Sequence, residues 1–296
     1  MASRKRLQSI AQNDDSDSDS HSDSSEHTAD PPKKIPRTLD NTRAHEVTFL
    51  DPEDPHIEQL DEIDEFADYF SGERASNVLV TSTYRPSGLT RTFVSEFSDL
   101  IHGSFYRRTD KTQTIKQLCK MATESNFTDL VVVSEAKSKP YLFTHIHLPH
   151  GPTAVYKLSN YVPRKAVRHH GKPTSHPPEV IMNQFSTRLG HRVSRMLHCL
   201  FPVNSDPKGR QVVTLHNQRD YIFFRFHRFI FDFYKDSKGQ DIVDFSNAKT
   251  RMQELGPQFT LKLQWLQRGV FDPIDGEFEF KRDAAPDVKN RRRFYL

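Results

Sequence analysis

From residue 77 onward the apolar positions follow two alternating spacings, every second residue and every third or fourth. NVLVTST (77–83) is a β-branched run that predicts a strand, and RPSG (85–88) breaks it. Leu89, Phe93, Phe97 and Leu100 then recur at helical spacing. FYRR (105–108) predicts a short strand, Ile115, Leu118 and Ala122 a second helix, and TDLVVVSE (128–135) a buried strand. YLFTHIHL and TAVYKLS predict a hairpin across PHGP. After a basic, proline-rich connector (VPRKAVRHHGKPTSHPP, 162–178) the pattern restarts, with EVIMNQF as a strand, TRLGHRVSRMLHCLF as a helix, and GRQVVTLHN and QFTLKLQWLQRG as further strands. Alternation at this length predicts an α/β or α+β sandwich. Strand, turn and helix at 78–101 and again at 180–201 predict a duplicated architectural unit.

The run NQRDYIFFRFHRFIF (217–231) packs five phenylalanines and three arginines together. As a strand it places Tyr221, Phe223, Arg225, His227, Phe229 and Phe231 on one face and Ile222, Phe224, Phe226, Arg228 and Ile230 on the other. Both faces are largely apolar, which predicts a central strand covered on two sides. Its arginines must then meet carboxylates, carbonyls or phosphates, and Arg219 reaches the surface just before it.

The first part of the chain reads differently. Residues 12–30 are Ser-rich and acidic, a composition that cannot bury enough apolar surface to order itself and that suits an acidophilic kinase. PPKKIPR (31–37) is a short basic cluster of the kind that serves nuclear import. HIEQLDEIDEFADYF (56–70) carries Ile57, Leu60, Ile63, Phe66, Ala67 and Phe70 near helical spacing on an acidic background, and this stripe is expected to dock on the body. Mean hydropathy is −0.72, in keeping with a partly unfolded chain. No apolar run approaches the ~20 residues of a membrane span, and MASRKRLQSI lacks the apolar core of a secretory signal. Cys119 and Cys199 form no metal or redox spacing, which points to a reducing, intracellular compartment.

Charge sharpens the division. Residues 1–75 hold 19 Asp and Glu against 8 Lys and Arg, whereas residues 76–296 hold 20 against 34. A basic body on an acidic tail suits a polyanionic partner. In the helix at 187–200, Leu189, Val193, Met196 and Leu200 form a core stripe, and Arg188, Arg192 and Arg195 form a second. Three guanidiniums on one exposed line suit a phosphate backbone or nearby acids; Glu179 is the only acid in residues 162–205, which favours phosphates. At TSTYRPSG, hydroxyls, free helix N–H groups and Arg85 converge where an anion binds, or form an ordinary strand-to-helix turn. His145, His147 and His150 invite a metal, but no acid or cysteine is evident beside them and none is expected. No nucleotide loop, catalytic serine motif or paired catalytic carboxylates appear, so neither an enzyme nor a cofactor is expected.

VLVTSTYRPSG, HLPHGPTAVYKL, FSTRLGHRVSRMLHCLFP, GRQVVTLHNQRDYIFFRFHRFIF, QELGPQFTLKLQWLQRGVFD and RRRFYL together resemble the Brix domain family of eukaryotic ribosome-assembly factors over residues 60–296. The resemblance implies two similar halves, each like the anticodon-binding domain of class II aminoacyl-tRNA synthetases. They would follow a disordered acidic, Ser-rich tail with basic clusters (1–55) and an acidic amphipathic segment (56–75), as residues 76–161 and 179–296 around the connector. It further implies a nuclear, nucleolar binder of pre-ribosomal RNA in large (60S) subunit assembly. Partners would be pre-60S assembly factors, for the large-subunit members a small cysteine-rich Mak-sixteen homologue. A protein-interaction scaffold or an RNA-processing enzyme are the alternatives. Candidate RNA contacts are Arg85, Arg91, Arg107, Arg108, Arg164, Lys165, Arg168, Lys172, Arg188, Arg192, Arg195, Arg210 and Arg219. Residues 235–253 are longer than the family leads one to expect.

Overall fold

The computed structural model describes residues 36–38, 42–43, 48–50, 55–108, 110–232, 234–235, 241–242, 249–272, 274–282 and 293–296. The chain divides into Met1–Arg37 and Thr38–Leu296, and every described helix and strand belongs to the second unit. The Ser-rich acidic stretch, residues 31–35 of the basic cluster, and residues 236–240 and 243–248 of the long insert lie outside the described residues.

Two short helices, α1 (Pro55–Ile63) and α2 (Ala67–Phe70), are separated where the Asp64 carboxylate accepts the Phe66 amide at 3.0 Å. That break shifts the helical phase and corrects the anticipated stripe. Phe66 and Tyr69 enter the core, whereas Ile63 is 83% exposed and Phe70 lies at the surface. β1 (Val78–Ser82) is buried along its length. The Ser87 hydroxyl then accepts the Thr90 amide to start α3 (Gly88–Ile101), and His102, at φ 55°, ends it. β2 (Ser104–Tyr106) precedes α4 (Ile115–Glu124), whose start is fixed by a reciprocal Thr114–Gln117 capping box. β3 (Asp129–Ala136), β4 (Lys139–His147) and β5 (Thr153–Val162) form an antiparallel meander.

The second series begins with β6 (Glu179–Asn183) and α5 (Arg188–His198), where the Thr187 hydroxyl accepts the Gly190 amide. β7 (Gln211–Gln218) and β8 (Tyr221–Asp232) form a hairpin whose two turn residues, Arg219 and Asp220, both have positive φ, the geometry that matches strand twist. β9 (Tyr234–Lys235) and β10 (Asp241–Ile242) pair with each other, and β11 (Lys249–Glu254), β12 (Gln258–Gln267) and β13 (Phe278–Lys281) complete the series. Residues 249–253 of the long insert, with Glu254 after them, pair with the second half of β8. KTRMQE has no apolar alternation; its backbone hydrogen bonds hold it there.

Among the described residues one sheet runs through both series in the order β2-β1-β3-β4-β5-β12-β8-β7-β6. From β1 inward and from β6 inward the order repeats: a parallel pair (β1–β3, β6–β7), then antiparallel strands that meet at β5–β12. The layering is asymmetric. Phe93 and Phe97 of α3 and Val193, Met196 and Leu197 of α5 share one core on one face of the sheet with Tyr156, Phe224 and Phe259. On the other face α4 packs Leu118, Cys119 and Ala122 against Leu79, Leu130, Val132 and Ile146. No described helix covers that second face at β7, β8 and β12. The expectation that β8 is buried on both sides is therefore corrected: Ile222, Phe224 and Phe226 are buried, while Tyr221 is exposed and Phe223, Arg225 and His227 are half-buried. The strand is central by hydrogen bonding and covered on one side only.

Phe224 stacks on Phe259 with centroids 4.2 Å apart. Phe224→Ala should therefore cost ~3–5 kcal/mol through the cavity it leaves, whereas Phe223→Ala on the opposite face should cost less than about 1 kcal/mol. Urea midpoints of the two variants measure the difference, and equal losses would contradict the one-sided layering.

Candidate nucleic-acid interface

Helix α5 presents its apolar stripe to the core as the spacing predicts, but the arginine stripe is not the exposed line expected. Arg188 is exposed. The Arg192 guanidinium donates to both Glu65 carboxylate oxygens at 3.0 Å and to Glu279 at 3.0 Å. Arg195, only 9% exposed, donates to Asp64 at 2.6 and 2.8 Å and to the Asp61 carbonyl at 2.9 Å, with the Phe70 ring 4.1 Å away. His191 donates to Asp61 at 2.8 Å. Burial alone would raise the Glu65 carboxyl, yet its contact with Arg192 holds it below its ordinary value. Asp61, Asp64 and Glu65 lie 127 to 134 residues before the side chains they pair with and Glu279 lies 87 after Arg192, so the local scarcity of acids around α5 is no guide to its partners. The expectation of three open guanidiniums is corrected to one.

The strand-to-helix turn before α3 is similarly occupied. Glu135 accepts the Ser87 amide at 2.9 Å and the Thr90 hydroxyl at 2.8 Å, so the place expected for a bound anion holds the chain's own carboxylate. The Ser87 amide keeps that carboxyl below its ordinary value. Arg85 is exposed with its guanidinium 5.0 Å from the Tyr84 ring, and Arg91 is exposed beside it.

The connector gathers cations instead. Its start is tied down where Glu96 accepts the Arg164 amide at 3.0 Å and the Tyr161 hydroxyl at 3.0 Å. Burial raises the Glu96 carboxyl despite these bonds. Further along, the Gly171 amide donates to the Glu254 carbonyl at 2.9 Å, and Glu254 is registered opposite His227. The Phe229 amide donates to the Arg210 carbonyl at 2.9 Å. These anchors lie on opposite flanks of the second half of β8, on β11 and just before β7, and the connector reaches the neighbour of Arg210 where the Thr174 amide donates to the Gln211 side-chain oxygen at 2.8 Å. Lys165, Arg168, Lys172 and Arg210 are exposed there, Arg164 is half-buried, and among the described residues none of the five forms an ion pair. The other candidates are dispersed. Arg107 and Arg108 follow the edge strand β2, with Arg108 donating to the Gln113 carbonyl, and Arg219 lies in the β7–β8 turn at the opposite end of β8.

Two features escaped the sequence reading. Residues 48–50 lie within the stretch read as an unstructured tail, yet the Leu50 amide donates to Ser186 and the Arg188 amide to Thr48, both at 3.0 Å. Arg43 donates to the Ser186 hydroxyl at 2.9 Å and to the Phe294 carbonyl at 3.0 Å. The second is an acid among the histidines. Asp129 on β3 is registered opposite His147, and one of its oxygens accepts from His145 at 2.9 Å and from His147 at 2.8 Å. The expectation that no acid stands near these histidines is corrected; among the described residues the cluster does not extend to a metal-ligand set. Burial would raise the Asp129 carboxyl, but the two histidine hydrogen bonds hold it well below the usual carboxylate range.

The sequence profile of the Brix domain matches residues 84–265, more than half of the chain. The chain belongs to the Brix domain family. Ribosome production factor 1 of Mus musculus is 42% identical over 269 residues, covering 90% of this chain and 72% of the mouse protein. A Brix domain-containing protein of Schizosaccharomyces pombe is 37% identical over 266 residues, covering 89% of this chain and 84% of the yeast protein. A solved structure described as a probable ribosomal biogenesis protein from Aeropyrum pernix K1 aligns with a TM-score of 0.43 at 14% identity, over 63% of this chain and 96% of that one. The matched Brix span contains Arg192 and Arg195, while Asp61, Asp64 and Glu65 precede it and Glu279 follows it.

Replacing Arg195 by Gln strands Asp64 in a buried setting and should destabilise the protein by ~3–5 kcal/mol. Arg188→Gln should stay within about 0.5 kcal/mol of wild type. Urea unfolding compares the two. For Asp129, the depressed folded value fixes the sign: its contribution is complete above about pH 4 and is lost as the pH falls further. Asp129→Asn should therefore lower stability at pH 7 and flatten the acid limb of the stability–pH profile, and an unchanged acid limb would show that Asp129 is not held as its hydrogen bonds imply.

Proposed function

We propose that this Brix protein is a ribosome-biogenesis factor that binds pre-ribosomal RNA during assembly of the large (60S) subunit and carries no catalysis of its own. The role in ribosome production is supported by the names of its relatives. The RNA component rests on one observation: Lys165, Arg168, Lys172 and Arg210 gather without carboxylate partners among the described residues, whereas Arg192, Arg195 and Arg282 of the same body are paired with acids. Cations left unpaired beside a rigid sheet suit a phosphate backbone, which supplies most of the sequence-independent affinity for nucleic acid. Arg85, Arg91, Arg107, Arg188 and Arg219 extend this surface in the same reading, with Arg108 and Arg164 contributing partly, and Arg192 and Arg195 shape it from within. The repeating strand order supports two halves, residues 76–161 and 179–296, each of the anticodon-binding kind. A nucleolar location and pre-60S partners, including a small cysteine-rich Mak-sixteen homologue, belong to the same proposal. A protein-docking role is favoured by the exposed Ile63, which lines a groove with Leu50 and Ile57 next to Arg188.

The test replaces Lys165, Arg168 and Lys172 together by Gln and follows the affinity for a structured pre-ribosomal RNA fragment against salt. The slope of log K against log salt should flatten by about two to three units if all three meet phosphates. An unchanged slope in the folded variant would remove the connector from the RNA surface.

A further inference from the structure

The sheet face left open opposite α3 and α5 carries an arrangement that the connector surface does not use. Tyr221, Phe223 and Arg225 of β8 point to it, and register places His216 of β7 opposite Phe223. These rings are surplus to the core, which Ile222, Phe224 and Phe226 of the same strand already fill from the other side. Tyr221 is 41% exposed. Each ring has a cation at hand: the Lys262 ammonium lies 4.5 Å from the Tyr221 ring centre and the Arg225 guanidinium 5.9 Å from that of Phe223. Lys262 of β12 is also registered directly opposite Lys157 of β5. Like charges facing each other across neighbouring strands repel, and among the described residues neither lysine forms an ion pair. Among the described residues the only carboxylate paired with these cations is Glu254, 4.0 Å from Arg225.

We infer that this face binds single-stranded RNA, with bases stacked on Tyr221 and Phe223 and phosphates held by Lys157, Lys262 and Arg225. An anion between the two lysines removes their repulsion, and aromatic rings beside cations match the alternation of base and phosphate along a strand. Two rings at successive same-face positions of a β-strand stand roughly 7 Å apart. That is about twice the 3.4 Å rise of a stacked duplex strand, so the bases they take are splayed ones. Bases within an A-form duplex are already stacked and closed to such rings. A protein occupant fits less well, because the centres of protein interfaces are depleted in lysine. The inference rests on the RNA-binding reading above and adds a second, single-strand-selective site to it.

The experiment uses the full chain and two double variants, Tyr221→Ala with Phe223→Ala and Lys157→Gln with Lys262→Gln. Each is titrated by fluorescence anisotropy with a uridine decamer and with an RNA hairpin, after circular dichroism has verified folding. The aromatic variant should lose about tenfold or more in decamer affinity and keep its hairpin affinity. The lysine variant should lose decamer affinity with a flatter salt slope, and it provides the test if the aromatic variant does not fold. Decamer binding unchanged in folded variants would overturn the assignment, as would equal losses for decamer and hairpin, or a wild type that binds the hairpin alone. Loss of a protein assembly partner with decamer binding intact would give the face to that protein instead. If wild type binds neither RNA, the broader RNA reading fails as well; if it binds the hairpin through the connector, only the open-face assignment fails.

Discussion

The carboxylate of Asp64 held by the guanidinium of Arg195 is the contact on which the arrangement of this molecule depends. It seats the short acidic segment 55–70 on α5 and thereby places two aromatic residues that belong to neither half of the sheet. Tyr69 donates its hydroxyl to the Phe201 carbonyl at 2.7 Å, just beyond α5. Phe66 lies edge-on to His147, ring centres 5.1 Å apart, and His147 in turn holds Asp129. The segment is thus a staple: its acids and Tyr69 grip α5 and its end in the second series, and Phe66 reaches the strands of the first. A pair so nearly buried contributes little net energy relative to an apolar replacement, but breaking one side of it is costly. Such a contact fixes position more than it adds stability.

The same device recurs. Glu135 fills the helix start at Ser87, Glu96 ties the connector to α3, and Asp220 accepts the Tyr295 and Leu296 amides at 2.7 and 3.0 Å while pairing with Arg282. Several places where a basic protein could have received a phosphate are closed by its own acids. This concentrates the available positive charge in the connector and on the open sheet face, where the chain supplies few acids. The net positive charge of the body is therefore a poor map of its binding surface, because a good part of it is neutralised internally.

How much of this could be read in advance follows from the range of each interaction. Strands and helices whose signal is local were legible: the apolar stripes of α3 and α5 lie within a few residues of what they control. The acid partners of Arg192 and Arg195 were not, since proximity in space was built from residues 87 to 134 positions away. The phase of α1 and α2 failed because one side-chain hydrogen bond at Asp64 interrupts the helix. The one-sided burial of β8 failed because alternation shows which residues share a face, and whether a helix covers that face is decided elsewhere. Asp129 was missed among the histidines because strand register, not sequence distance, brings it there.

The most direct test of this account is a double-mutant cycle on Asp64→Asn and Arg195→Gln, read by urea unfolding of both single variants, the double variant and wild type. Residues in direct contact within one ion-pair network couple by ~0.5–3 kcal/mol, and the burial of this pair predicts a value in the upper half of that range. Losses that add to within about 0.3–0.5 kcal/mol, as for independent sites, would contradict the claim that this contact seats the acidic segment on α5.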